Sequence, residues 1–387
     1  MKRRRYVIGI LLCVTALLQA QDSVKSFDEF FVAGMDKIDG VFPVYVAEKE
    51  IYLEIPEKYI GREIEVSGQI DRGFDLLNRP VDGLGVVRII SPDKATICFQ
   101  TPFYTERILD EKSTYQQSFS LSNMQPAGKS YSVVAYSKEQ GAIIRITDYL
   151  MTGDDWFSYN DSFIRSLVPE LSEIMKIHPF KEGVSFTVRR YHGVEAERYM
   201  LSSSAIILPE GSMPLEVTCA VRLLPLKKDQ IRLADYRIPY RTLSFKDYSQ
   251  NPYCMVEDSL ILRWDISQPL TFYVDTLFPK EYFQAVKEGV EAWNTAFHKA
   301  GIHDALQVRY ADRKIIPAEQ RAFISYDLRI PGIKSDFICH PRTGEILSCR
   351  LNIGHGFLKG KLDDYLLSCG ASDSRILADR YSKEVEK

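Results

Sequence analysis

The chain has 387 residues, of which 45 % are hydrophobic, 12 % aromatic and 26 % charged. That balance excludes a largely disordered chain and leaves room for roughly two or three domains with real cores. Its 49 basic residues are outnumbered by 52 acidic ones, for a net charge of −3, so no strong positive field points to nucleic acid as a partner.

The N-terminus reads as an export leader. Lys2, Arg3, Arg4 and Arg5 precede an apolar run from Tyr6 to Leu18, and Gln19-Ala20 places a small residue before the polar Gln21-Asp22-Ser23. The run is shorter than the ~20 residues a membrane span needs, so it is expected to be a signal peptide (1–20) cleaved after Ala20. Cys13 lies inside the apolar run behind Ile10-Leu11-Leu12, without the small residue that lipoprotein processing prefers. Loss of the leader leaves 367 residues with a charge of −7. No later segment is long and apolar enough to span a membrane, so a soluble periplasmic or extracellular protein is expected. Six cysteines remain, Cys98, Cys219, Cys254, Cys339, Cys349 and Cys369. An oxidising compartment permits disulfides among them, and burial as small hydrophobes is the other reading.

Period-two alternation then dominates. Val41 to Val46 and Ile51 to Ile55 flank the charged turn Glu48-Lys49-Glu50 and read as a hairpin. Glu63 to Ile70, Val86 to Ile90 and Ala95 to Phe99 continue the alternation, followed by Ser132 to Tyr136, Ala142 to Ile146, Val184 to Tyr191 and Leu215 to Leu224. These predict a meandering, mostly antiparallel β-rich region, divided into a small N-terminal domain (21–75) and a middle domain (76–262).

Near Pro269 the period changes. After the strand-like Leu270 to Val274, the positions Tyr282, Phe283, Val286, Val290, Trp293, Phe297 and Ala300 recur every three or four residues, which predicts one long amphipathic helix from Pro279 to Ala300 capped by Gly301. Leu306 to Tyr310, Phe323 to Leu328, and a hairpin around Pro341-Arg342-Thr343-Gly344 complete the expected region 263–387. The predicted fold class is α+β: a β-rich antiparallel N-terminal region followed by a mixed sheet with one long helix.

Hydrolytic motifs are absent. Zinc peptidases place two histidines four apart on one helix face, in H-E-x-x-H, with the glutamate as general base for a metal-bound water. Here His178, His192, His298, His303, His340 and His355 are separated by 14, 106, 5, 37 and 15 positions, and none is followed by Glu. No G-x-S-x-G elbow occurs, and Gly354 to Lys361 has the composition of a phosphate-binding loop without its glycine spacing or the following Ser or Thr, so it reads as an ordinary loop. Cys339, His340, Cys349 and His355 are close in sequence but lack paired metal-ligand spacing. His298 and His303 read as a helix-terminal cation and a loop residue, and Asp154-Asp155 as turn chemistry.

The order of segments resembles a family of secreted bacterial zinc-dependent metallopeptidases of metzincin type, in which two β-rich domains of unknown function precede the catalytic domain. The likeness rests on Gly40 to Gly61 with Leu53-Glu54-Ile55-Pro56 and Ile60-Gly61-Arg62-Glu63, Val134 to Asp148, Leu223-Leu224-Pro225 with Arg232, Asp235-Tyr236-Arg237 and Tyr240, then Arg263-Trp264, Pro269 to Asp275, Val286 to Phe297 with Glu288 to Trp293, Ala300-Gly301 and Pro341 to Ile346. By this resemblance, residues 263–387 would be an incomplete metzincin-like domain, the upper half before the zinc helix, and Lys387 falls about where that helix would begin. Zinc belongs to complete members, and no cofactor, catalytic residue or metal ligand is assigned to this chain. The strand Ser335, Asp336, Phe337, Ile338 and Cys339 would be the sheet edge along which an extended peptide lies; the other reading makes it internal to the sheet. The expected function is therefore the N-terminal portion of a secreted metallopeptidase-like protein, inactive alone. Its expected partners are a peptide or protein substrate or a separate chain supplying the zinc-binding half. The alternative is a non-catalytic periplasmic or cell-surface binding protein for a peptide, protein or glycan.

Overall fold

The computed structural model describes residues 24–73, 85–110, 112–152, 167–194, 198–201, 204–207, 211–226, 231–251, 253–311, 321–328 and 332–369. The expected leader and Asp154-Asp155 lie outside them. In chain order, α1 (Phe27–Phe30) precedes β1 (Asp36–Ile38), β2 (Val44–Ala47), β3 (Glu50–Ile55), β4 (Glu63–Arg72), β5 (Gly85–Asp93), β6 (Thr96–Gln100) and β7 (Glu106–Arg107). Next come α2 (Gln116–Ser122), β8 (Lys129–Tyr136), β9 (Ala142–Arg145), α3 (Thr147–Thr152), β10 (Glu173–Phe180), β11 (Gly183–Val194), β12 (Arg198–Leu201), β13 (Ser204–Ile207) and β14 (Gly211–Leu223). The remainder is β15 (Thr242–Asp247), β16 (Val256–Ile261), β17 (Leu270–Val274), α4 (Lys280–Glu291), α5 (Asn294–Lys299), β18 (Leu306–Tyr310), β19 (Ala322–Asp327), β20 (Ile333–Cys339), β21 (Ile346–Gly354) and α6 (His355–Cys369).

One sheet dominates, with eleven strands in the order β1-β2-β3-β9-β8-β6-β5-β4-β14-β11-β10. Every neighbouring pair in it is antiparallel. The sheet curls around a single core, because Val44 and Ile51 near one end share a buried cluster with Val184, Phe186 and Leu215 near the other. Its two ends approach each other: Gly40, after β1, lies where an added Cβ would stand 3.2 Å from the Pro179 Cβ of β10. The result is a nearly closed, barrel-like wall. Near β2, β8 and β9 both faces of the wall are covered. Val44, Val133 and Ile144 point inward, while Tyr45, Ala135 and Ile143 point out onto Phe30 of α1.

The β17 to β21 region forms a second, five-stranded sheet, ordered β18-β17-β19-β21-β20, in which only the β20–β21 pair is antiparallel. One face takes Tyr282, Phe283, Val286 and Val290 of α4 against Val274, Val308 and Ile324. The other face turns toward the rim of the large sheet. A three-stranded sheet, β16-β15-β7, bridges the two bodies.

These observations overturn the α+β expectation and its metzincin-like layout. Strand exceeds helix more than twofold, and the largest unit is the eleven-stranded wall. The physical reason is long-range pairing: β4, from the expected small domain, zips against β14 from Leu223↔Ile64 through Glu216↔Arg72, so separate β segments merge into one sheet. The single long helix is also absent, since α4 and α5 are divided at Ala292-Trp293. There the ladder tightens, with Trp293 N–H bonding Val290 O at 3.3 Å and Thr295 N–H bonding Ala292 O at 3.2 Å. The flanking side chains serve β18 instead. Glu291 Oε1 accepts from Val308 N–H at 3.2 Å, and Asn294 exchanges two bonds with the backbone of Leu306 at 2.8 and 2.9 Å.

If the wall encloses one shared core, truncating it on one strand weakens the whole. Phe186→Ala, at a side chain only 1 % exposed, is expected to lower the unfolding free energy by about 3–5 kcal/mol in urea titration.

Candidate functional site

A buried polar region lies where the β20–β21 hairpin meets the rim of the large sheet. The hairpin turn is tight: His340 N–H bonds Glu345 O at 2.8 Å, and Gly344 N–H bonds His340 O at 2.9 Å. Gly344 adopts φ 74°, and a Cβ there would fall 2.5 Å from the carbonyl oxygen of Ile261, so the position requires glycine on both counts. Arg263, just past β16, clamps the turn by donating to Gly344 O at 3.0 Å and accepting from Ile346 N–H at 2.8 Å. Arg107 holds it from another side, donating to Arg342 O at 3.0 Å and Pro341 O at 3.1 Å while its guanidinium lies 4.3 Å from the Phe245 ring centroid.

Alternation along β4 puts Ile64 and Val66 into the barrel core and Glu63 and Glu65 on the opposite face, beneath this hairpin. Glu63 Oε1 accepts from Tyr104 Oη at 2.7 Å and Arg88 Nη2 at 3.0 Å, and Oε2 lies 3.1 Å from His340 Nε2 and 3.2 Å from Arg342 Nη2. The His340 tautomer follows from its other nitrogen. Nδ1 accepts the Arg342 backbone N–H at 3.3 Å, which leaves the proton on Nε2 for donation to Glu63. Burial alone would raise the Glu63 pKa, but the bonds from His340, Tyr104 and Arg88 and the charge of Arg342 outweigh it and hold the carboxyl well below the usual carboxylate range. Burial, followed by the bond to Glu63, pushes the Tyr104 phenol up to about 12. Glu65 pairs with Arg222 and accepts from Ser348 Oγ at 3.1 Å. Deeper in the joint, burial pulls the Arg350 guanidinium down to about 10, with Asp71 and Glu65 opposing that shift.

Between the two sheets opens a cleft of about 940 Å³. Lys181, Arg62, Arg222, Arg263, Arg321 and Arg342 line it, against four acidic side chains, Glu63, Glu182, Asp265 and Glu345. Tyr59, Leu223, Leu224 and Leu226 form apolar wall. Arg62 donates to Leu224 O at 2.5 Å, and Arg321 donates to Leu347 O at 2.8 Å and Ile346 O at 3.1 Å.

The proposed edge residues Ser335, Asp336, Phe337, Ile338 and Cys339 all lie on β20, which ends the five-stranded sheet. Gly354 N–H bonds Gly332 O at 2.8 Å, continuing the pairing of Ile333 with Ile353. By antiparallel alternation Ser335 and Phe337 therefore direct their backbone groups away from β21. Ile338 packs onto Val86, Leu224 and Leu347, and Arg241 lies 4.9 Å from the Phe337 ring centroid.

Cys339, His340, Cys349 and His355 do not come together as a metal site. Among the described residues no three His, Cys, Asp or Glu side chains converge on one. His340 serves Glu63, while His355 Nδ1 lies 2.6 Å from Tyr326 Oη. Zinc, which the family resemblance implies, therefore fits no described group of side chains. Cys98, Cys219, Cys254, Cys339 and Cys349 are free thiols, and burial raises those of Cys339 and Cys349 to about 11. His298, in the last turn of α5, and His303, beyond it, meet edge to face at 4.6 Å. Gly354 to Lys361, expected as a loop, instead ends β21 and begins α6. Within it Lys359 pairs with Asp363 one turn on at 2.5 Å. The cleft arginines went unrecognised in the sequence because they are scattered from position 62 to position 342. The Glu63-x-Glu65 repeat on one strand face was the available signal.

Because the Glu63 pKa is depressed in the fold, its contribution is present above the ordinary value of 4.5 and is lost as pH falls below it. The wild-type unfolding temperature is expected to drop between about pH 5 and about pH 3, whereas Glu63→Gln, less stable at neutral pH, should show a shallower drop by calorimetry. Gly344→Ala is expected to cost about 1–3 kcal/mol in chemical denaturation, through its strained φ and the contact with Ile261.

Residues 24–73 match the model of a domain of unknown function, DUF5118, and residues 85–268 that of another, DUF5117. No curated protein matches the chain. No solved structure matches it. The chain is thus similar, over β1 to β16, to two domain types without an assigned activity.

Proposed function

We propose that this chain is the N-terminal portion of a secreted zinc-dependent metallopeptidase-like protein, exported through residues 1–20, and that its own contribution is to hold an extended peptide along β20. The observation that carries the reading is the place of β20 at the border of the five-stranded sheet among the described residues. Seven residues, Ile333–Cys339, end the sheet, and alternation turns the backbone of Ser335 and Phe337 outward. A peptide laid there as a further strand would gain main-chain hydrogen bonds, with side-chain contacts alternating along it. The ordered resemblance from Leu53 to Ile346 supports the assignment to such a protein. Hydrolysis itself is assigned to no residue here.

The second reading, a non-catalytic periplasmic or cell-surface binding protein for a peptide, protein or glycan, draws support from the cleft and its cationic lining. The two readings diverge in the partner they require. The first calls for a zinc-binding half from elsewhere, and the second for none.

The peptide reading is tested by fluorescence anisotropy with labelled extended peptides. Ser335→Pro removes an outward N–H without touching a bond to β21, and an edge position tolerates proline. Binding is expected to weaken about tenfold, the scale of one main-chain hydrogen bond, at an unchanged unfolding midpoint. Saturable binding that is indifferent to this substitution would remove β20 as the site. Chelator-sensitive cleavage of peptides by the purified chain would overturn the assignment of hydrolysis to a part outside it.

A further inference from the structure

We propose that the cleft between the two sheets is a binding site for a small ligand bearing a doubly charged oxyanion group, a phosphate ester or a polycarboxylate, attached to a partly apolar body. This site is separate from the β20 edge and does not depend on the peptide reading.

Six cationic and four acidic side chains line the cleft, and the hydrogen-bond pattern leaves His340 neutral, so the lining carries a formal surplus of two positive charges. The chain as a whole carries −3. The surplus is therefore local and opposite in sign to the rest of the molecule.

How the guanidinium groups are held matters more than their number. Arg62 is fixed by Leu224 O at 2.5 Å, and Arg321 by Leu347 O at 2.8 Å and Ile346 O at 3.1 Å, with Glu345 farther away at 3.5 Å. A carbonyl oxygen orients a guanidinium without cancelling its charge. The acids nearby are shared: Glu63 serves both Arg88 and Arg342, and Glu65 is taken by Arg222. Burial, followed by the neighbouring charge of Arg222, pulls the Arg321 pKa below its ordinary value, as expected where cations crowd. Planar guanidinium groups held in place match the geometry of phosphate and carboxylate, and their low conformational freedom reduces the entropy lost on binding.

Shape sets the rest of the ligand. A volume of about 940 Å³ lies within the range of small-molecule sites. Tyr59, Leu223, Leu224 and Leu226 offer a surface for a non-ionic body beside the charged end. Layer-to-layer adhesion alone does not account for the arrangement, because adhesion is served by a filled interface, whereas this one stays open and its lining holds more cationic than acidic side chains.

The test is isothermal titration calorimetry on the full chain with glucose 6-phosphate, citrate and, as the uncharged control, glucose. Lys181 is exposed at the turn before β11 and anchors none of the described bonds, so Lys181→Glu changes the cleft's charge without disturbing the joint. Arg62→Gln is the second variant. At least one of the two anions is expected to bind with a dissociation constant below about 10 mM and to raise the unfolding temperature, and each variant to weaken it about tenfold. Preference for glucose 6-phosphate assigns a phosphate ester, and preference for citrate a polycarboxylate. The proposal is overturned if neither anion binds in that range, if glucose binds equally well, or if both variants bind as the wild type does.

Discussion

A carboxylate covered by a second layer of protein needs donors, and Glu63 and Glu65 on one face of β4 impose that demand on everything above them. The β20–β21 hairpin answers it with His340, Arg342 and Ser348, and the barrel wall with Arg88, Tyr104 and Arg222. The partners come from the hairpin turn, β21, β5, β14 and the segment before β7, so the two carboxylates tie the sheets together from several directions. Apolar contact is minor at this joint, where Val86, Leu224 and Leu347 form only a small cluster. Hydrogen-bond direction sets the geometry more than surface area does.

The same joint explains why the cleft is rigid and charged together. Arginines that anchor the hairpin also line the cleft, so its charge and its structural attachment share residues. Arg107 shows the pattern on the other side of the turn, where it is spent on the carbonyls of Pro341 and Arg342 and on the face of Phe245. Gly344 lets the turn sit against Ile261 closely enough for these bonds to form.

Much of the strand content was legible because period two survives wherever one face meets a core, as in Glu63-Ile64-Glu65-Val66. The fold class was not. Val66 pairs with Val221, a partner that no local pattern names, and it is such pairings that merge the β segments into one wall. The helix from 280 to 300 carried a continuous apolar stripe, but Glu291 and Asn294 turn to bond β18 and break it, a tertiary choice invisible to periodicity. For the site, the edge position of Ser335 to Cys339 rested on a resemblance, whereas the cleft arginines had no shared motif. They meet only because strands distant in sequence converge at one rim.

The seam of the large sheet lies between β1 and β10. One border there has only three residues and is followed by Gly40, and the other carries Pro179, which has no N–H to offer. Both borders are thus poor templates for a neighbouring molecule, and the wall is guarded against fibre-like stacking at the place where it fails to close. β20 is guarded differently, by Lys334 and Asp336 and by a register shift between Ile338 and Cys339 along its seven residues. The molecule thus treats its sheet borders unequally, shortening or interrupting those of the wall and leaving the seven-residue border of β20 to its charged side chains.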